Sequence, residues 1–270
     1  MKIFPTIYAL LLISLFSFGC TSCAHTKPKL WDTMGDDDAA YAQHLMRATV
    51  QIDHRMITLI PDMEKSNEKD GLKLKPAAMV AQGTGVVVAV RGKESLIVTA
   101  AHVCKPQDTV HVQLTKEVGV DAPVLGEDFL IWNMELDQMA AQALVIDELN
   151  DVCVMRVLGV PGDVVEVATQ DPPIGARVTA VGSPHGFLNY HRAFVTDGRY
   201  VGAQQYKDHP HSDTVALPGT HGCSGGGVFY RGKLFGVMSR IREEFQEIVI
   251  IEGDAPLRDA IKKARSLWKP

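Results

Sequence analysis

Pro218-Gly219-Thr220-His221-Gly222-Cys223-Ser224-Gly225-Gly226-Gly227-Val228-Phe229 is the stretch from which the rest of the chain can be read. Glycines surround its one serine on both sides. Glycine accepts φ > 0 and lets the backbone come close to other groups without a Cβ penalty. A serine on such a turn presents its hydroxyl outward while nearby N–H groups converge on one point. A nucleophile beside an oxyanion site needs that arrangement. A glycine-rich hairpin turn would use the same residues, so this segment by itself leaves both readings open.

Two upstream segments decide between them. In Ser95-Leu-Ile-Val-Thr-Ala-Ala-His102-Val103 an apolar run reads as a buried strand. Small residues then leave room beside His102 for a partner. In Asn150-Asp151-Val152-Cys153-Val154-Met155-Arg156-Val157 an acid opens a strongly apolar stretch that reads as a central strand. Taken singly, these are a core histidine and a turn aspartate. In the order His, Asp, Ser the three segments support one another.

Those words, in that order, resemble the trypsin-like serine proteases, and the HtrA/Deg branch in particular. Thr99-Ala-Ala-His102 is similar to the family's histidine motif. Asn150–Val157 is similar to its Asp-Leu-Ala-Val-Leu-Lys-Val strand, and Gly222–Val228 to Gly-Asn-Ser-Gly-Gly-Pro-Leu. Gln82-Gly-Thr-Gly-Val86, Val181-Gly-Ser-Pro-His-Gly186 and Lys233-Leu-Phe-Gly-Val-Met-Ser239 extend the match over residues 46–267. The resemblance implies two packed six-stranded β-barrels with a cleft between them and a C-terminal helix. It implies a triad of His102, Asp151 and Ser224 and an oxyanion hole from the amides of Gly222 and Ser224. It places the Ser239 hydroxyl against the aspartate. Leu217–His221 and Val237–Ile241 become the walls of the substrate pocket, with Pro218, His221, Arg240 and Ile241 as substrate-binding residues.

Departures from the family pattern narrow the expectation. Pro218 falls where trypsins carry a pocket-floor acid, and no acid lies between Ala216 and Ser224. Cleavage after Lys or Arg is therefore not expected. Ile241 stands where a glycine would leave a deep pocket, so small or medium aliphatic P1 residues are expected. Cys223 replaces the acid that receives a new N-terminus in zymogen activation, and a thiol cannot make that ion pair. A small buried apolar side chain is the expected role for Cys223, ahead of a redox-sensitive thiol.

Composition fits an all-β globular chain. Its 270 residues are 46% hydrophobic and 22% charged, and many short Val/Ile/Thr-rich runs are separated by Gly, Pro and Asp turns. Strands are expected at Gly85–Val90, Thr109–Leu114, Ala143–Ile146, Val178–Val181, Thr214–Leu217 and Leu234–Met238. The first barrel is expected over 46–158, starting at Thr49–Ile52, and the second over 159–253, with a link near Gly159–Gly162. Ala40–Arg47 has helical spacing, and Pro61–Gly71 reads as a charged surface loop. Asp254–Leu267 has an early proline and terminal basic residues, which mark a helix. Leu257, Ile261 and Ala264 share one face, expected to dock on the second barrel. The chain stops after this helix, so no PDZ domain of the HtrA kind is expected within it.

A net charge of −5 and the absence of a basic stripe argue against nucleic acid, leaving polypeptide substrates as the expected partners. His185, His191, His209 and His211 lack zinc-type spacing, and no metal or other cofactor is expected. Residues 1–23 read as an export signal with an apolar Tyr8–Phe18 core, followed by a polar tether and short helix over 24–45. Gly19-Cys20 resembles a lipoprotein cleavage site, with Cys20 lipidated and the protein membrane-attached in the periplasm or at the outer membrane. Ser22-Cys23-Ala24 offers ordinary signal cleavage and secretion, and a retained anchor is the third option. Export permits disulfides. Cys104 and Cys153 are expected as two buried thiols in preference to a bridge.

Overall fold

The computed structural model describes residues 36–62, 73–105, 124–184, 193–204, 212–242 and 245–269. The expected signal with Cys20 and Cys23, the Thr109–Leu114 run, most of the Pro61–Gly71 loop and the four loop histidines lie outside these residues. Helix α1 (Asp36–Arg47) begins four residues ahead of the expected start at Ala40.

Six strands then close a barrel: β1 (Thr49–Pro61), β2 (Leu74–Arg91), β3 (Glu94–Thr99), β4 (Val124–Trp132), β5 (Gln138–Asp147) and β6 (Val152–Val157). Their order around the barrel is β1-β2-β3-β6-β5-β4, all antiparallel. A second closed barrel follows from β7 (Arg177–Gly182), β8 (Phe194–Ala203), β9 (Ser212–Ala216), β10 (Gly227–Tyr230), β11 (Lys233–Arg242) and β12 (Phe245–Glu252). Its order is β10-β11-β12-β9-β8-β7. Closure leaves no sheet edge unpaired. The expected all-β, two-barrel architecture is what forms.

Three apolar clusters explain why some strands read as continuous hydrophobic runs. Ile97, Cys153 and Met155 fill the first barrel with Val50, Ile52 and Ile131. Val178, Val228, Phe235 and Ile251 fill the second. Leu96, Val98, Val152 and Val154 point the other way and meet Val181, Phe229 and Val237 between the barrels. A strand alternates faces with period two, so burial on both faces removes the polar alternation. Strands β3 and β6 lie at this double burial, and they carry the segments that lead to His102 and from Asp151.

The second barrel alone was expected to receive the C-terminal helix, and here the structure differs. Helix α3 (Asp254–Leu267) packs on β5 and β6 of the first barrel as well as on β11 of the second. Leu257, Ala260, Ile261, Ala264 and Trp268 join the cluster between the barrels. Trp268 carries this further: its indole N–H donates to Glu94 at 2.8 Å, and Arg91 stacks over its ring at 4.2 Å. The connection from β6 to β7 is also fixed to both barrels. The Val165 amide donates to the Val87 carbonyl, while Leu234 accepts from the Ala168 amide and donates its own to the Glu166 carbonyl. At Gly162 a Cβ would lie 1.8 Å from the Arg47 carbonyl, so only glycine permits that crossing.

Candidate active site

His102 sits in a one-turn helix, α2 (Ala101–Cys104), directly after β3. Ala100 and Ala101 before it are buried, and their small size lets the chain turn against the start of β6. Asp151 occupies the turn between β5 and β6 with φ +45°, in the left-handed region that Asp tolerates better than most residues. Asn150 steadies that turn by donating its amide N–H and its side-chain NH₂ to Asp147.

The two residues meet through three contacts. The His102 backbone N–H donates to Asp151 Oδ1 at 2.9 Å, and its ring Nδ1 lies 2.9 Å from Oδ2 and 3.1 Å from Oδ1. A carboxylate at Nδ1 keeps the proton on that nitrogen and leaves Nε2 as the basic one. The Ser239 hydroxyl donates to Asp151 Oδ2 at 2.5 Å. Ser239 is the bulged residue of β11: Met238 pairs with Ile251 and Arg240 with Ile250, which turns its side chain out of the ladder. Burial alone would raise the Asp151 carboxyl. The bond from the His102 ring, the imidazole charge, the Ser239 hydroxyl and the His102 amide together hold it below the usual carboxylate range.

A disulfide joins Cys104 to Cys153, where two buried thiols were expected. Each cysteine lies two residues beyond His102 or Asp151, and the bridge spans the same 49-residue separation as that pair. The register explains it. Thr99 pairs with Cys153, so the turn after β3 brings Cys104 over the start of β6, with Cα atoms 6.5 Å apart.

Ser224 faces the same cleft from the second barrel, on the loop before β10. Gly222 and Gly225 flank it with φ +88° and +80°. At Gly225 a Cβ would fall 2.0 Å from Thr99 Oγ1 and 2.2 Å from the Thr84 carbonyl, so the glycine is required twice over. Gly226 N–H closes the turn on the Cys223 carbonyl at 2.8 Å, and Gly225 N–H donates to Met238 at 2.7 Å. Among the described residues, neither the Gly222 nor the Ser224 amide donates to any acceptor. Both are therefore available to an incoming oxygen.

One residue of this arrangement was not anticipated as a site residue. Thr84, fully buried on β2, donates its backbone N–H to the Ser224 carbonyl at 2.8 Å and its hydroxyl to the Gly222 carbonyl at 2.7 Å. Its hydroxyl accepts from Ser183 N–H at 2.9 Å, and its own carbonyl accepts from Thr99 at 2.7 Å. The first barrel thus pins the two carbonyls that alternate with the free amides. The only sequence signal was a threonine between two glycines, Gly83-Thr84-Gly85, which matched the family without indicating a contact 138 residues away.

The cleft has a volume of about 580 Å³. His102, Asp151, Ser224 and Ser239 line it together with His221, Arg240 and Ile241. Pro218 is exposed and is not among the lining residues; Gly219 and Thr220 take its place in the wall. Ile241 and Val249 close in on Gly219, with methyl carbons 2.8 and 2.5 Å from where a Cβ would be. Cys223 also lines the cleft and packs against the core of the second barrel, its thiol pushed up by burial. It is the free cysteine among the described residues, and its surroundings are those of a small apolar filler.

Comparison with known proteins agrees with this fold. No curated protein sequence matches the chain. Among solved structures, the Rv3671c protease of M. tuberculosis in its active form superposes with a TM-score of 0.58 at 16% identity, over 83% of each chain. The serine endoprotease from Yersinia pestis gives 0.57 at 17% identity, over 84% of this chain and 65% of its own. At such identities the likeness is one of fold. The sequence itself matches the trypsin-like peptidase domain model over residues 83–237, more than half of the chain. The chain belongs to the trypsin-like peptidase family.

Proposed function

We propose that the protein is an exported serine endopeptidase that hydrolyses peptide bonds through Ser224, His102 and Asp151. The carrying observation is that His102 Nδ1 is held by a buried Asp151 while Ser224 lines the same cleft beside two unengaged amides. A serine hydroxyl is a weak nucleophile until a base takes its proton. His102 Nε2 takes that proton as Ser224 Oγ attacks the scissile carbonyl. Asp151 keeps the imidazole oriented and stabilises its cationic form. The Gly222 and Ser224 amides receive the developing oxyanion. His102 then protonates the leaving amine, leaving an acyl-enzyme that water hydrolyses by the reverse transfers.

The crowding of Ile241 and Val249 against Gly219 supports a shallow P1 site for small or medium aliphatic residues. The apolar Tyr8–Phe18 segment supports export, with lipidation at Cys20 as the proposed anchor. An active-site-directed fluorophosphonate probe tests the chemistry. Labelling of the wild-type chain, abolished by Ser224→Ala, is the expected result. Absence of labelling in folded protein would instead indicate a silent protease fold that serves as a binding module. Peptide-library cleavage then tests the pocket, and a profile dominated by Arg or Phe at P1 would overturn that part. Turnover of esters without cleavage of peptides would point to an esterase or a cell-wall peptide hydrolase.

A further inference from the structure

Within the closed barrel every strand has two neighbours, but β2 runs on beyond the barrel. Along Leu74–Arg91, β1 covers Leu74–Val86 on one side, whereas β3 covers only Val86–Arg91 on the other. The ladder with β1 fixes which edge each residue offers. Just beyond its two ends, the Val87 N–H donates to the Ala48 carbonyl at 2.9 Å and the Asp62 N–H to the Lys73 carbonyl at 2.7 Å. Bonded pairs alternate along an antiparallel ladder, and the register between these ends has no bulge, so odd-numbered residues of β2 bond to β1. The even-numbered ones, from Leu74 to Thr84, turn their N–H and C=O to the opposite edge. Thr84 already uses that edge, donating its N–H to the Ser224 carbonyl at 2.8 Å. From Gln82 to Leu74, no described residue pairs with it.

Pro76 agrees with this parity. Its missing N–H falls on the open edge, so the β1 ladder loses nothing. Charge and proline commonly guard an edge strand against unwanted pairing. Here Lys73, Lys75 and Pro76 stand at the far end, and Ala77-Ala-Met-Val-Ala-Gln82 carries no charge. The outer face of this stretch is apolar and exposed: Val80 is 52% exposed, and Ile57, opposite Ala78 on β1, is 49% exposed. The unguarded part of the edge is therefore the part next to Ser224.

The root of the edge lies at the site. At Gly83 a Cβ would fall 2.6 Å from a Val103 methyl, so α2, which carries His102, rests on β2 at that point. In the proposed reaction His102 protonates the leaving amine, which puts the departing half of the substrate on the His102 side of the scissile bond. We propose that the open edge of β2 from Gln82 to Ala78 receives this leaving half as an added antiparallel strand. The substrate is then an extended polypeptide with a long leaving side. This rests on the endopeptidase reading of the cleft. Main-chain bonds to such an edge give affinity, and alternate side chains give selection. Peptide residues opposite Val80 and Ala78 lie on the outer face beside Val80 and Ile57, where apolar side chains are favoured. The track spans about 14 Å at roughly 3.4 Å per residue, and it ends at Pro76, which has no N–H to offer.

Peptides with a common acyl half and an aliphatic P1 residue, lengthened one residue at a time on the leaving side, test this. The intact chain should cleave them with kcat/KM rising roughly tenfold across the series, about the worth of one net hydrogen bond, and levelling off once the peptide reaches Pro76. Methylated peptide nitrogens give a sharper readout that leaves the protein untouched. Only alternate amides of an added strand face β2, so N-methyl groups at every second leaving-side position abolish the gain, and those at the intervening positions do not. Val80→Pro removes an outward N–H without touching the β1 ladder and should flatten the length dependence. Cleavage indifferent to length, or a gain lost equally at every methylated position, overturns the track and leaves the peptidase standing. A dimer in sedimentation that Val80→Pro dissociates gives the edge to a second copy of the chain and overturns it likewise. Cleavage of no peptide of any length refutes the peptidase reading, and this inference with it.

Discussion

The two halves of the site are held in different ways. His102 and Asp151 both belong to the first barrel, where three polar contacts and a disulfide two residues further along fix them to each other. Ser224 belongs to the second barrel, and part of what shapes its loop comes from outside that barrel. Thr84 of the first barrel holds the Gly222 and Ser224 carbonyls, and Ser239 of the second crosses back to Asp151. The His102–Asp151 pair is therefore assembled within one barrel, and the Ser224 loop only where two barrels meet. Misplacing a reacting atom by about an ångström is costly, so under the proposed mechanism the interface counts as much as the three residues.

The most damaging change should fall within the braced half. Asp151→Asn keeps the shape but reverses the proton demand at His102 Nδ1, and turnover should drop by about 10⁴-fold with the fold intact. Inactivation kinetics and a thermal melt on the same sample check both parts. Removing the brace tests whether hydrogen bonds alone suffice. Cys104→Ala/Cys153→Ala opens a 49-residue loop, worth up to about 4 kcal/mol of stability by loop-closure entropy. Denaturant unfolding should record that loss, while labelling at Ser224 falls far less than in Asp151→Asn. A fall as large as that of Asp151→Asn would mean that the bridge, and not the polar contacts, aligns the base.

The smallest of the three effects probes the other half. Thr84→Val preserves volume but removes the hydroxyl that bonds the Gly222 carbonyl and the Ser183 amide, at roughly 1–3 kcal/mol. The expected signature is a lower turnover number with little change in KM, because the oxyanion donors act in the transition state. A change in KM alone would show that Thr84 shapes the pocket and not the oxyanion site.

What could be read from the sequence follows the same division. The three segments that meet at the cleft were legible because each carries its own pattern: small residues before His102, an acid at the head of an apolar strand, glycines about Ser224. The barrels were legible from short Val/Ile/Thr runs between turn residues. Contacts made between distant segments were not. Thr84 is an ordinary threonine until β2 meets the Ser224 loop. The Cys104–Cys153 bridge depends on a register that sequence does not give. Helix α3 shows an apolar face, and no pattern within it tells which barrel that face will meet.

That helix has a consequence for how the two barrels depend on each other. Leu257, Ala260, Ile261, Ala264 and Trp268 pack into the contact between the barrels while belonging to neither sheet. The halves are thus joined by a shared wedge, and loosening it would shift the Ser224 loop against His102 without breaking a strand pairing.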